Sequence, residues 1–299
     1  MITFRHHVVT IISVFVALAV GVVLGGGPLS EVGEPDSHEP ETPFVTNVEA
    51  LDFAERFANE SAPRTVQGVI EDQGVAIVVM PGADDDSVAA LADLVGKANG
   101  VVTGTYRLTP AFAQMGQKSL VDTLGAQLLT QQEEGTVDSS ASTYVRIGQL
   151  LGRAVAAPTA RRVLDELPPF EGATEATVEA MVGAELLEDP GAVKSRASLV
   201  LVVLGDAPTE DGAGAITAGL VEGLEATALG LVVAGSSDDG RQGQLADLRG
   251  EAALAGVATV DGVELAAGRI ASVLALAYAR SHDGGSFGAS GADGTVPVL

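Results

Sequence analysis

Three consecutive aspartates, Asp84, Asp85 and Asp86, follow an apolar segment that ends in Pro81 and Gly82. A glycine-containing turn between a strand and a helix is typical of phosphate-binding loops, and clustered carboxylates can contact a cation or a basic partner. However, the carboxylates occupy the place where a bound anion would lie, and neither G-x-G-x-x-G nor the Walker pattern is present. The pattern favours a capped helix start at this acidic corner (residues 84–86), with a cation or partner contact as the alternative.

Two further segments contain residue types found in catalytic or metal sites. Residues 284–288 match G-x-S-x-G, but a nucleophile elbow places its serine between a strand and a helix, and this one lies in a Gly-rich tail. Asp238 and Asp239 could contribute to a calcium site, but the twelve-residue EF-hand spacing is missing. A solvated turn is the simpler interpretation. The sequence thus predicts that the protein is not an enzyme.

Copper ligands are scarce, since the chain has no cysteine, four methionines and four histidines. Met80 and Met181 lie in segments predicted to pack in the core, whereas His38 and His282 lie alone in segments predicted to be flexible. No pair shows metal-ligand spacing. The residues themselves therefore predict no metal site and no cofactor.

The overall charge excludes one class of partner. Sixteen Lys and Arg stand against forty Asp and Glu, which gives a formal net charge of −24. Affinity for nucleic acid depends on Lys and Arg that displace counterions from the phosphates. Nucleic-acid binding is therefore not expected.

An apolar segment near the N-terminus predicts a membrane anchor. From Val8 to Leu24 the chain carries no charge, and as a helix it would span about 25 Å, with the following small residues completing a hydrocarbon core of about 30 Å. Arg5 precedes the segment, and five acidic residues follow between positions 31 and 41 without a Lys or Arg. The positive-inside rule then places residues 1–7 in the cytoplasm and the bulk of the chain outside. A cleaved signal peptide is the alternative. We expect a transmembrane helix over 8–27 and a single-pass plasma-membrane protein.

Small residues recur along one face of this predicted helix. Ser13, Ala17, Gly21 and Gly25 are spaced by four residues, and small-xxx-small stripes let helix backbones approach closely in lipid. The alternative is that Ala and Gly are simply common here, since 37 of the 299 residues are glycine. The stripe predicts that a second membrane protein packs against the anchor, or that the chain forms a homo-oligomer.

The rest of the chain separates into a linker, a domain and a tail. Residues 28–47 are acidic and rich in proline, which predicts a linker. Strand-length apolar segments then occur at 74–80, 100–105, 198–204, 229–235 and, more weakly, 256–260, and they alternate with helical patterns that begin with 48–59. Continuously apolar strands separated by helices predict an α/β domain over 48–280, a mostly parallel β-sheet with helices on both faces. Residues 281–299 are predicted to be a flexible tail.

Several segments together resemble the mycobacterial copper transport protein B family of actinobacterial envelope proteins. The most specific is residues 1–25, MITFRHHVVTIISVFVALAVGVVLG, and residues 77–112, residues 266–278 and the Gly-rich end add to it. The resemblance implies copper efflux and, for some members, an outer-membrane location; other relatives resemble partners in cell division and cell separation. Members commonly carry a coiled coil after the anchor, where this chain has its Pro-rich linker.

A single apolar helix cannot enclose a conducting path, so copper handling would need oligomers or a partner. We therefore expect a membrane-anchored extracytoplasmic protein that acts without catalysis through envelope partners, in a cell division or cell separation complex. A copper transport or efflux component is the alternative. Copper as a bound species is implied only by the resemblance.

Overall fold

The computed structural model describes residues 48–133, 136–157, 167–205 and 212–299. The predicted transmembrane helix, its small-residue stripe (Ser13, Ala17, Gly21, Gly25) and the linker all lie outside these ranges. Within them, no helix is both long enough and apolar enough to cross a membrane.

The described elements alternate between helices and strands along much of the chain. The helices are α1 (Val48–Val66), α2 (Asp85–Lys97), α3 (Lys118–Leu129), α4 (Thr143–Val155), α5 (Ala173–Gly183), α6 (Gly214–Glu225), α7 (Ser237–Gln242), α8 (Gln244–Gly250) and α9 (Ala266–Tyr278), with short 3₁₀ turns at Met115–Gln117 and Ala252–Leu254. The strands are β1 (Gly74–Val79), β2 (Val101–Arg107), β3 (Leu199–Val203), β4 (Gly230–Gly235), β5 (Ala258–Asp261) and β6 (Ser286–Phe287).

The strands form one sheet in the order β2-β1-β3-β4-β5-β6, and every neighbouring pair is parallel. All residues of β1, β3 and β4 are buried, which explains why their sequences are continuously apolar. Alternate residues of β1 point into two separate cores: Ala76 and Val78 into one, Val75 and Ile77 into the other. The predicted parallel α/β fold with two covered faces is confirmed.

Helices α3, α4, α5, α6 and α8 contribute to the first core, and α1, α2 and α9 contribute to the second. Helix α1 is longer than the sequence predicts: it continues past Asn59 and through Pro63 to Val66. Ala62 and Val66 are buried in the second core, and this packing stabilises the last turns although proline disfavours helix interiors.

The Gly-rich C-terminal segment differs from the flexible tail that the sequence predicts. Strand β6 pairs with β5 at the edge of the sheet, and Phe287 is 3% exposed. The ring of Phe287 meets that of Tyr278 edge to face, with centroids 5.4 Å apart. The segment contains few apolar residues, and for that reason its sequence predicts a flexible tail. The buried ring of Phe287 nevertheless anchors it on the domain.

Candidate interaction surface

The place where ligands usually bind in such a sheet is closed by backbone. Parallel α/β sheets bind ligands outside the carboxyl ends of the strands, where the strand order reverses, here between β1 and β3. Gly205 follows β3, and a Cβ built on it would collide with the carbonyl oxygen of Pro81 and the backbone nitrogen of Ala83. The segments after β1 and β3 therefore touch each other where a nucleotide would have to enter.

The acidic corner lies beside this closed point and is used largely by the fold itself. Asp84 caps α2, since its Oδ2 accepts a hydrogen bond from the Ser87 backbone nitrogen at 2.8 Å, and hydrogen bonding from Ser87 lowers the pKa of Asp84. Asp85 pairs with Arg107 at the end of β2, at 2.7 Å. The side chain of Asp86 is exposed. The capped helix start that the sequence favours is present, and a cation or partner contact there stays a prediction.

A buried ion pair that the sequence did not reveal lies at the carboxyl end of β5. Asp261 accepts from Arg249 Nη2 at 3.0 Å, and the two side chains are 0% and 12% exposed. The same guanidinium donates to the Phe287 carbonyl at 2.8 Å and to Ser290 Oγ at 2.9 Å. This pair joins α8, β5 and the C-terminal segment. Its partners are far apart in sequence, so no local pattern could have identified it.

Asp239, one of the two candidate calcium ligands, is buried rather than solvated. It lies in α7, its side-chain Oδ2 has no hydrogen-bond partner, and burial is the largest cause that raises its pKa. Asp238 instead is exposed and pairs with Arg241 at 3.4 Å. The sequence favours a solvated turn, but both aspartates lie in helix α7: Asp238 is solvated and Asp239 is buried.

The G-x-S-x-G match does not form a nucleophile elbow. Ser286 begins the edge strand β6, and its backbone nitrogen donates to Asp293 Oδ2 at 2.8 Å. His282 stacks on Tyr278 with ring centroids 4.3 Å apart. No strand-to-helix turn carries the serine, as the sequence analysis concluded. Over the described ranges, no three His, Cys, Asp or Glu side chains are grouped so that they could hold a metal ion.

Helix α1 is attached to the domain through one of two apolar stripes. Ala58, Ala62 and Val66 recur every four residues and pack on the second core. On the same side, the Glu55 carboxylate accepts from the Ala266 backbone nitrogen at 2.9 and 3.0 Å and from Arg269 Nη2 at 3.2 Å. Leu265, which precedes α9, provides no side-chain cap. Glu55 therefore caps α9 from outside and fixes the position of α1.

The second stripe of α1 faces outward, and we call it the outer stripe. It consists of Phe53, Ala54 and Phe57, which lie on one helix face at 100° per residue and are all exposed. Phe53 is 65% and Phe57 63% exposed, and the rings stack at 6.2 Å. A surface helix needs one apolar stripe to dock on its own domain. The outer stripe is thus available to a partner.

The helical spacing of Ala50, Leu51, Ala54 and Phe57 was visible in the sequence, and it correctly predicted a helix. It did not separate the stripe that contacts the domain from the one that does not. That separation requires knowledge of where β1 and α9 lie, which periodicity does not contain.

Comparison with known proteins identifies the family. The family model described as "Copper transport outer membrane protein, MctB" matches residues 1–298. This chain belongs to that family. It is 30% identical over 304 residues to the protein named "Copper transporter MctB" in Mycobacterium tuberculosis and to that in Mycobacterium bovis, covering 92% of each chain. It is 33% identical over 150 residues to the protein of the same name in Mycobacterium leprae, covering 44% of this chain and 47% of that protein.

The family resemblance predicted from the sequence is therefore confirmed. The names of these relatives refer to copper transport, which the sequence analysis kept as the alternative, and not to cell division or cell separation. None of these names refers to an enzymatic activity. The family description agrees with a location in the cell envelope.

Proposed function

We propose that this protein is a non-enzymatic, membrane-anchored component of copper transport in the cell envelope, and that it works as an assembly of two copies joined through the outer stripe of α1. Copper is the cargo of this assembly and not a resident cofactor. The observation that carries the proposal is the exposed Phe53–Phe57 pair on a helix whose other face already docks on the domain.

The need for more than one copy follows from the predicted anchor. One apolar helix satisfies its own backbone but encloses no path for an ion. The chain also has no cysteine and few Met and His residues, so one copy offers few ligands for copper. Bringing copies together multiplies both the membrane helices and the ligands. The small-residue stripe from Ser13 to Gly25 is consistent with close helix packing in the membrane.

The outer stripe is suited to pair with itself. It places one small residue beside two large ones, so a phenylalanine of one copy can lie over Ala54 of the other. We propose a parallel arrangement, in which both α1 helices begin on the membrane side; a linker of residues 28–47, which reaches at most about 70 Å at ~3.5 Å per residue, lets the two helices meet there. When the membrane helices of the two copies also associate, they hold the two α1 helices at an effective concentration on the order of millimolar, so a short helix contact suffices.

A lipid surface is a less suitable occupant of the outer stripe. Glu49 and Glu60 flank Phe53 on one side of the helix, and the chain carries a net charge of −24. Negative charge repels the anionic head groups of membranes. On the other side, Ala54 and Ser61 are small and uncharged, so a second helix can approach there without a charge penalty.

Single-cysteine cross-linking in membranes tests the pairing directly, because the natural chain contains no cysteine. In a parallel pair, Ala54→Cys on the outer stripe should form a disulfide-linked species of twice the chain mass, since the Cβ atoms come within disulfide range. Asp52→Cys, on the opposite side of the same helix, is the matched control and should stay monomeric. Cross-linking of Ala54→Cys to a protein of another mass, or equal cross-linking at both positions, would refute pairing of two copies.

Copper tolerance tests the function. In a deletion strain, the double variant Phe53→Gln with Phe57→Gln should fail to restore growth on copper. Leu51→Gln, which changes another exposed apolar residue of α1 (56% exposed), should restore it. If the deletion leaves copper tolerance normal but disturbs septation, the transport proposal is wrong and the cell division hypothesis replaces it.

A further inference from the structure

Two arginines meet at the end of the sheet opposite the closed carboxyl edge. Arg153 lies in the last turn of α4, and Arg196 precedes β3, which begins at Leu199. Arg196 Nη1 donates to the Arg153 backbone carbonyl at 3.2 Å. This contact joins the Arg196 side chain to the last turn of α4, which carries Arg153, at the amino end of the sheet.

The two arginines line a cavity of about 230 Å³ together with Thr174, Thr177 and Glu133. Most of its accessible lining is polar. Drug-sized ligands occupy sites of about 300–1,000 Å³, so this cavity suits a smaller group. Glu133 is an exposed residue, and no ion pair joins it to either arginine over the described ranges.

Neither guanidinium has a carboxylate partner among the described residues, although the chain carries forty acidic residues. In the same ranges, Arg107, Arg146, Arg249 and Arg269 all pair with Asp or Glu. The Nε atoms of Arg153 and Arg196 are buried without any hydrogen-bond partner. Burial first, and then the charge of Arg153, lower the pKa of Arg196, so the pair as it stands is electrostatically unfavourable and would be stabilised by an anion.

A helix start adds to this positive environment. Helix α5 begins at Ala173, and the preceding Gly172 provides no side-chain cap. The first backbone N–H groups of a helix have no intrahelical acceptor and attract anions. Ala173 and Thr174 line the same cavity as the arginines. The hydroxyls of Thr177 and Thr174 already donate to the carbonyls of Ala173 and Glu171, at 2.8 and 2.9 Å, so the charged donors of the cavity are the two guanidinium groups, beside the backbone of α5.

We infer that this cavity, which we call the arginine pocket (Arg153, Arg196 and the first turn of α5), binds a phosphate group. Two planar guanidinium groups can each form paired hydrogen bonds to its oxygens. A dianion balances two positive charges, whereas a single carboxylate leaves one uncompensated. The group is either inorganic phosphate or the end of a small phosphate ester. This inference does not depend on the copper-transport proposal.

Isothermal titration of the full-length chain in a nonionic detergent tests the arginine pocket, with inorganic phosphate and glycerol 3-phosphate as separate probes. One site per chain is expected. Arg153→Gln and Arg196→Gln should each weaken binding about tenfold, because each removes charge-assisted hydrogen bonds. Arg64→Gln removes the same charge from an exposed position of α1 and should leave the affinity unchanged. Tighter binding of the ester than of inorganic phosphate would assign the site to an ester, and the reverse to the free ion.

The conservative variants Arg153→Lys and Arg196→Lys show whether weaker phosphate binding by the Gln variants comes from the lost contacts or from a loss of folding. Lysine retains the charge but lacks the planar fork, so each variant should fold and still bind phosphate more weakly than the natural chain. Absence of phosphate binding to the natural chain would overturn the inference. Equal weakening by Arg64→Gln would do so as well, because binding would then reflect net charge rather than a site.

Discussion

The two ends of the parallel sheet differ in how their arginines are paired. At the carboxyl end, Arg249 pairs with Asp261, Arg107 with Asp85, and Arg269 with Glu55. These pairs hold loops, helix starts and the C-terminal segment together. At the amino end, Arg153 and Arg196 have no such partner among the described residues. A partly buried charge without a partner lowers stability, so the paired arginines at the carboxyl end serve stability, whereas the two at the amino end retain charge for an external ligand.

The largest expected effect tests this contrast with one matched pair of substitutions. Arg249→Leu should lower the free energy of unfolding by about 3–5 kcal/mol, because it leaves the Asp261 carboxylate buried without its counterion. Arg196→Leu should lower it by at most about 1 kcal/mol, since one hydrogen bond to a carbonyl is lost and a charge repulsion is relieved. Urea unfolding of the full-length chain in detergent, followed by circular dichroism, measures both. Equal losses would remove the distinction between the two ends.

A smaller effect is expected where α1 joins the carboxyl end. Glu55→Gln retains an oxygen that can accept from the Ala266 nitrogen but loses the charge at the start of α9 and the pair with Arg269. We expect a loss of about 1 kcal/mol, typical of helix capping and of charges near a helix end. Asp52→Asn, on the same helix, is the control. Asp52 meets Arg56 at 3.9 Å with both side chains about 70% exposed, and such surface pairs contribute about 0–1 kcal/mol. If the two variants lose equal stability, Glu55 is not a cap.

The smallest effect concerns pH at the carboxyl end. Burial raises the pKa of Asp239 above its ordinary value, so the folded chain takes up this proton at a higher pH than the unfolded chain. Protonation of Asp239 therefore favours the folded state. Its contribution to the free energy of unfolding is gained as the pH falls through the folded-state pKa and is absent at neutral pH. Thermal unfolding between pH 7 and pH 4 should show the natural chain gaining stability relative to Asp239→Asn. Asp238→Asn, on the same helix, controls for loss of one charge. A constant difference across the range would show that burial of Asp239 has no effect on its titration.

Much of the fold follows from local sequence, and the central strands show why. The segments predicted at 74–80, 198–204 and 229–235 lie within one residue of β1, β3 and β4. A strand covered on both faces must be apolar at every position, so a run of consecutive apolar residues predicts both its length and its burial. The capped start of α2 at Asp84 is equally local, because the carboxylate and the nitrogen it binds are three residues apart.

The functional surfaces were less predictable, because their residues come together from distant parts of the chain. Arg153 and Arg196 are 43 residues apart, and neither segment shows a motif. The residues of the outer stripe contributed to the prediction of a helix, but the sequence of α1 does not specify which face of that helix contacts the domain. The loop closure at Gly205 likewise depends on Pro81, which lies in another βα connection.

The sequence by itself determined the family, the strongly acidic charge, the order of the first five strands and the parallel sheet, because each depends on composition or on residues adjacent in the chain. Only the tertiary structure decided which aspartates are engaged in caps and ion pairs, that Phe287 joins the tail to the sheet, and that Phe53 and Phe57 face outward. Among the described residues, it also decided which arginines pair with a carboxylate. Burial and pairing depend on which segments meet in space, and a linear pattern of residue types does not specify those contacts.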